Sequence, residues 1–352
     1  MNHYHTLSAS GNERWSGQLA DLHRQMAALV AAEKARGMRL CWAKVFVSDI
    51  TNQLQSWIES PLYVEYISHV AHTVVEQPPL QTGVKIALLV ATTDRNADDD
   101  LLLQSWRLNE ADLDASNRDS YNQSLMLFER YVTDLESRGL SLAEHCLRTW
   151  IYVRDIDNNY AGMVRARNEV FSRHGLTPSS HFIVSTGIGG SSGVPGALVA
   201  IDTLTTTNKN RIEVRYLEAL DHLNRTHEYG VAFERGGLFC VEDDRFCLIS
   251  GTASIDHAGK VLHEGDVLAQ ADRIRENIAA LLADGGMTLG EVCYYVVYLR
   301  DASDSEVVHD YLQRTSGNVP CVLVHAPVCR SGWLIEMECV ARCERVNATQ
   351  KK

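Results

Sequence analysis

Glu336 and Glu338 stand two residues apart in the stretch APVCRSGWLIEMECVA, Ala326 to Ala341, which reads as a β-strand. Strand side chains alternate faces, so both carboxylates share a face with Leu334, while Ile335 and Met337 take the other. Two like charges on one face repel. In a dry cleft one of them keeps its proton above the usual carboxylate range. Such an acid donates to a leaving oxygen, and its anion later accepts a proton from water. Just upstream are Cys329 and Arg330. The guanidinium offers a two-pronged grip for a substrate carboxylate, and the thiol, a candidate catalytic partner of Glu336, a small polarisable wall or a proton-binding group. Glu338 also has a plainer use, reaching solvent to pair with Arg342 or Arg345.

The elements that must position these groups repeat along the chain. Three segments share one rhythm, beginning near Gly17, Tyr121 and Ala269. Each opens with apolar residues at helical spacing, such as Ile274, Ile278, Leu281 and Leu282. Each meets a glycine suited to a helix C-terminus (Gly37, Gly139, Gly286) and then a β-branched and aromatic run ending at Asp49, Asp155 or Asp301. A second helical stretch follows in each: LYVEYISHVAHTVV, YAGMVRARNEVFSRHG and SEVVHDYLQRTSG. Each copy closes on an apolar strand, GVKIALLVAT, GALVAIDTL or GWLIEMECVA. The third copy has an extra hairpin in front, turning around Glu242, Asp243 and Asp244. The second has a shorter counterpart in LLLQSWRL, and the first has almost no room for one. The expected fold is α+β, with helices on one face of each sheet. The expected lobes are residues 1–95 (truncated), 96–210 and 211–352, divided at the polar stretches TTDRNADDD and TTTNKNRIE.

In LRTWIYVRD, Arg148, Trp150 and Tyr152 share one strand face. Its other face is apolar and suits the lobe's helices, so the Arg/Trp/Tyr face is expected to look into a cleft between lobes or the centre of their ring. An arginine among aromatics suits a flat, unsaturated anion, or else a buried structural ion pair. STGIGGSSG, Ser185 to Gly193, lacks both the Lys-Ser/Thr ending of a P-loop and the glycine spacing of a dinucleotide turn, and is expected to be a loop at a cleft rim. The fourteen histidines show no metal-ligand spacing, and no GxSxG elbow supports a serine nucleophile. Neither a metal nor an organic cofactor is expected.

Composition limits the partners. The chain of 352 residues has a formal net charge of −12 and no basic block, which disfavours nucleic acid. Nine cysteines without a CxxC pair read as free thiols of a reducing compartment. No apolar run approaches the roughly 20 residues of a membrane span, and the opening MNHYHTLSASGNERW has no signal-peptide core. A cytoplasmic protein with a small anionic substrate is expected.

The third repeat, with SGTASIDHAG followed by GD and Q, then N and LL, resembles the Rid (YjgF-type) superfamily. ISGTASI and VCR-GWLIEME are similar to the chorismatases, larger relatives acting on chorismate. The likeness is good from Tyr216 to Glu344, looser in the second repeat and one of pattern only in the first. Rid proteins are trimers with sites between subunits. The resemblance therefore implies three lobes forming an intrachain pseudo-trimer, as a monomer or weak homodimer. It implies Tyr229 as the substrate-pocket tyrosine, Gly251 and Thr252 of SGT at the point of ligand approach, and Glu336 as the acid on the last strand, with Cys329 as its companion. Rid deaminases carry an arginine two residues after the proline of VPCVLVHAP, and Val322 stands there. That departure favours acid/base cleavage or rearrangement of a cyclic enol-ether acid over imine or enamine hydrolysis. A non-catalytic small-molecule binder with degenerate clefts is the third possibility. Arg330 and Arg148 are the candidates to replace the missing cation.

Overall fold

The computed structural model describes residues 2–94, 100–241 and 244–344. It contains three separate sheets, each with helices on one face. The first lobe has β1 (Asn2–Ser8), α1 (Trp15–Lys34), β2 (Arg39–Val47), α2 (Ile50–Ile58), a π-helical turn at Tyr63–Ile67, β3 (Ala71–Glu76) and β4 (Ile86–Thr93). The second has β5 (Leu101–Trp106), α3 (Ser120–Ser137), α4 (Leu142–His145), β6 (Cys146–Val153), α5 (Ile156–Arg173), β7 (Val184–Gly189) and β8 (Val199–Thr206). The third has β9 (Ile212–Tyr216), β10 (Gly236–Val241), β11 (Asp244–Thr252), α6 (Val267–Asp284), β12 (Val292–Leu299), α7 (Ser305–Ser316), β13 (Cys321–His325) and β14 (Ile335–Glu344).

The sheet orders are β1-β4-β2-β3, β5-β8-β6-β7 and β13-β12-β14-β11-β10-β9. All three contain one pattern: the strand after the first long helix pairs antiparallel with the last strand and parallel with a short strand, β3, β7 or β13. Those short parallel strands are absent from the sequence reading. His72–Val75, expected to be helical, lies in β3, and Ser185–Gly189, expected in a loop, lies in β7. The first lobe is also fuller than expected, because β1 pairs with β4 as β5 pairs with β8. Glu242, Asp243 and Arg345 lie outside the described residues.

Local chemistry explains the repeated boundaries. Gly37, Gly139 and Gly286 each adopt φ between 71° and 77°, the left-handed conformation that ends a helix at little cost to glycine. The aspartates closing the three strand runs begin the next helical segment: Asp49 accepts from the Asn52 amide, and Asp301 from that of Ser303. These are N-caps, satisfying amides that the first helical turn leaves unpaired. Asp155 holds the same position before α5, with φ 48°.

The sheets meet head to tail. β3 packs by β5, β7 by β11 and β10, and β13 by β4. Backbone bridges Glu76–Ser191, Val184–Glu234 and Pro79–Val324 join the three pairs of lobes. One apolar core, including Phe46, Val75, Tyr152, Ile188, Tyr298 and Val324, draws on all three lobes. Two further cores lie under the helices of the first and second lobes. Among the described residues no helix is long and apolar enough to cross a membrane.

Candidate active site

The register of β14 against β12 puts Glu336 opposite Tyr298 and Glu338 opposite Val296. Both carboxylates are buried, at 4% and 2% exposure, and they have different surroundings. Glu338 faces inward and is saturated. Arg148 Nη2 donates to its Oε2 at 2.9 Å, Thr186 Oγ1 donates to the same oxygen at 2.6 Å, and Trp150 Nε1 donates to Oε1 at 2.9 Å. Burial pushes this carboxyl up, but Arg148, Lys44 and the two hydrogen bonds hold it below the ordinary carboxylate range. Glu336 accepts no side-chain hydrogen bond among the described residues. Burial first, and the charge of Glu338 second, push it up to about 8, only partly opposed by Arg235. One strand face thus carries a fixed anion and a neutral acid, the separation that assigns acid/base roles in carboxylate pairs.

Glu336 lines a narrow cleft of about 50 Å³ between the second and third lobes, open to solvent. Gly251 lies against it. The β11–β14 register shifts between Ile249 and Thr252, a bulge that aims the Gly251 amide at Thr186 Oγ1, 2.9 Å away. The β14 carboxyl and the β11 backbone are therefore tied to β7 of the other lobe. A bidentate pair from Arg300 to Asp157, with N–O distances of 3.0 and 2.9 Å, further joins the two lobes.

Three guanidiniums line the cleft. Arg330 lies over the rings of Tyr229 and Trp333, 5.0 and 4.8 Å from their centroids. Arg235 lies 5.5 Å from the Tyr229 centroid and 5.4 Å from that of Phe233, and donates to Asn224. Arg167, on α5, is fully buried, and its Nε and Nη2 have no hydrogen-bond partner. Burying a guanidinium with two unused donors is costly unless an anion arrives to take them. Burial also pulls Arg167 below the usual arginine range. Cys329 touches the same space, and burial pushes its thiol up to about 12, with the Glu336 charge adding to the effect. It is a neutral wall at physiological pH, not a thiolate nucleophile. Burial likewise raises the half-buried Tyr229 phenol above its ordinary range, keeping it a hydrogen-bond donor.

The structure brings together Glu336, Cys329, Arg330, Tyr229 and Gly251. Thr252 is buried beside the cleft, bonded to the Ser250 carbonyl rather than lining it. Arg148, Trp150 and Tyr152 are not in the cleft. They face the junction of the three lobes, where Arg148 serves Glu338, Thr186 and the Ile249 carbonyl, and Tyr152 donates to Asp202 at 2.8 Å. The alternation of β6 is right, and of the two expected places this face meets the centre of the ring, as a buried ion pair of Arg148 with Glu338, and not the Glu336 cleft. Glu338 is likewise not at the surface, and Arg342 pairs with Asp244 instead. Val322 lies elsewhere too, in an opening between the first and third lobes with Thr6, Leu7 and Ala87. It pairs with Val296 as Thr186 pairs with Trp150, so at the Glu336 cleft the equivalent residue is Thr186. The sequence reading missed Tyr160, Arg167, Arg235 and Trp333, while Ser185, expected at a cleft rim, does line the cleft. Arg167 had a signal: it lies four residues after Met163 and three before Val170, a charge on the apolar stripe of α5.

The fold and the third lobe's motifs define the class. The family of endoribonuclease L-PSP proteins matches residues 239–343. A RutC family protein of Pyrococcus abyssi is 32% identical over 98 residues, covering 27% of this chain and 77% of its own. The chain belongs to the RutC, or Rid, family. The 3-aminoacrylate deaminase RutC of Acinetobacter baylyi is 30% identical over 66 residues, covering 19% of this chain and 52% of that protein. Among solved structures, a chorismatase superposes with a TM-score of 0.64 at 18% identity, covering 86% of this chain and 92% of its own. That likeness extends the shared fold across all three lobes.

Proposed function

We propose that the chain is a cofactor-independent acid/base enzyme acting on a small, flat carboxylate in the cleft between its second and third lobes. The observation that carries this reading is the buried Glu336 carboxyl, without a side-chain hydrogen bond among the described residues, in a cleft also lined by three guanidiniums, with two donors of Arg167 unused. An anionic substrate supplies the missing acceptor for Arg167, and aromatic Tyr229, Phe233 and Trp333 suit an unsaturated ring. Glu336 transfers its proton to the substrate as the bond to the leaving group weakens. Its carboxylate then takes a proton from the attacking water, restoring the acid. Glu338 keeps its charge throughout and holds Glu336 protonated.

Chemistry of the chorismatase type, the cleavage or rearrangement of a cyclic enol-ether acid, is the preferred reaction. The chorismatase fold match over most of the chain supports it. The three head-to-tail sheets support a pseudo-threefold ring, with the acid present in one lobe: register places Ala87 and Ala200 where the third lobe has Glu336. Imine hydrolysis is the second reading, favoured by the likeness to a protein named as a 3-aminoacrylate deaminase. Incubation with chorismate and, separately, with enzymatically generated imines, read by mass spectrometry, tests both. Chorismate-derived products that vanish in Glu336→Gln support the first. Imine turnover alone supports the second, and no turnover of either overturns the catalytic reading for these substrates.

A further inference from the structure

We propose that His3, His5 and Glu33 form a site for one divalent transition-metal ion of the zinc type, remote from the cleft. His3 and His5 share a face of β1, and Glu33 is in the last turn of α1. Their ligand atoms all lie within 4.8 Å of one another. Nδ1 of His3 is 2.9 Å from Glu33 Oε2, and Nε2 of His5 is 3.7 Å from it. Donors around a tetrahedral zinc ion with bonds of about 2.0–2.1 Å are spaced roughly 3.3 Å apart, so the three atoms need only small shifts. The buried His5 Nε2 has no hydrogen-bond partner, although imidazole nitrogens away from water are normally satisfied. An ion takes the lone pair of that nitrogen and replaces the proton between His3 and Glu33.

The surroundings also suit such a site. Arg36 donates to Glu33 Oε1 at 2.9 Å and Thr92 to Oε2 at 2.7 Å, orienting the carboxylate from outside as metal-binding carboxylates are commonly oriented. Two imidazoles and one carboxylate leave room for water in the remaining position. The site sits where crosslinking has a consequence. β1 is an edge strand, and Tyr4, on its opposite face, packs on Tyr294 of the third lobe with ring centroids 4.9 Å apart. An ion holding β1 to α1 therefore steadies the contact between the first and third lobes.

The test is calorimetric titration of the EDTA-stripped, tag-free full chain with zinc under reducing conditions. One equivalent per chain is expected, weakened at least tenfold in His5→Gln and in Glu33→Gln. Far-ultraviolet circular dichroism checks the fold of each variant. The visible spectrum of the cobalt(II)-loaded wild type needs no variant, and it should show ligand-field bands without a thiolate-to-cobalt charge-transfer band. Absence of binding, affinity unchanged in both folded variants, or a strong thiolate band, which would place the ion on cysteines, each overturns the proposal.

Discussion

A Cβ atom on Gly251 would lie 2.1 Å from Oε1 of Glu336. The backbone of β11 and the acid of β14 approach this closely only because residue 251 has no side chain. The same Cβ would also meet Thr186 Cγ2 at 2.9 Å, so the added methyl is crowded from a second side. Gly251→Ala is expected to turn the Glu336 side chain out of place, cutting turnover at least tenfold. Overpacking of this kind costs about 1–3 kcal/mol of stability, leaving a folded protein. Thermal unfolding and rate measurement on one preparation check both parts, and wild-type turnover would detach Gly251 from the acid's position.

Glu336→Gln keeps the shape of the acid and removes its proton. Turnover is expected to fall by roughly 10² or more while ligand affinity stays within a few-fold. In the wild type, activity should decline as pH rises through about 8, where Glu336 ionises. Stability follows the same proton. Between the ordinary carboxylate range and about 8 the folded state holds a proton that the unfolded chain has lost. Wild-type stability therefore falls relative to Glu336→Gln as pH rises through that window, by up to about 1.4 kcal/mol per pH unit, and the difference levels off above it. Urea unfolding of both proteins across this range measures it, and parallel curves would mean that Glu336 titrates normally.

How much of this was legible beforehand depended on the length of the signal. The long helices and central strands repeat apolar periods and share glycine stops and aspartate caps, so they stand out. The short edge strands β3, β7 and β13 do not. β7 is Val-Ser-Thr-Gly-Ile-Gly, whose small polar residues read as a loop until β6 pairs with it. In the site, strand alternation placed Glu336 and Glu338 on one face. It could not say that a neighbouring lobe supplies Arg148 to one acid and leaves the other bare. That asymmetry arises from β6 and β7 crossing behind β14, a contact between residues nearly two hundred apart in sequence, as in Arg148–Glu338.

Glu338→Gln tests the division of labour between the two acids. The charge of Glu338 helps keep Glu336 protonated, so its removal should lower the Glu336 pKa and move the alkaline fall in activity to lower pH. It also leaves Arg148 and Lys44 buried without their anion. Breaking a buried pair by removing one partner costs roughly 3–5 kcal/mol. A pH–rate profile and a denaturant titration check the two effects. An unshifted alkaline limb would show that burial alone sets the Glu336 proton.

Arg167 should behave in the opposite way to Arg148. Arg148 is a structural cation whose charge is matched by Glu338; Arg148→Lys loses the planar fork that also serves Thr186 and the Ile249 carbonyl, and is expected to destabilise the fold. Arg167 is buried with two unused donors, so the folded protein bears a desolvation cost without a full set of bonds. Arg167→Met retains the hydrophobic stem and removes the charge. The variant is expected to be as stable as the wild type or more so, while substrate or product affinity falls by about 1.5–3 kcal/mol, the range for a charge-assisted hydrogen bond. Function and stability thus move apart, as they do where an active site keeps a costly group for its ligand. Calorimetric binding and thermal unfolding of Arg167→Met beside Arg148→Lys separate the two roles. Unchanged ligand affinity in Arg167→Met would transfer the carboxylate grip to Arg235 or Arg330, and lost stability without lost affinity would make Arg167 a structural residue.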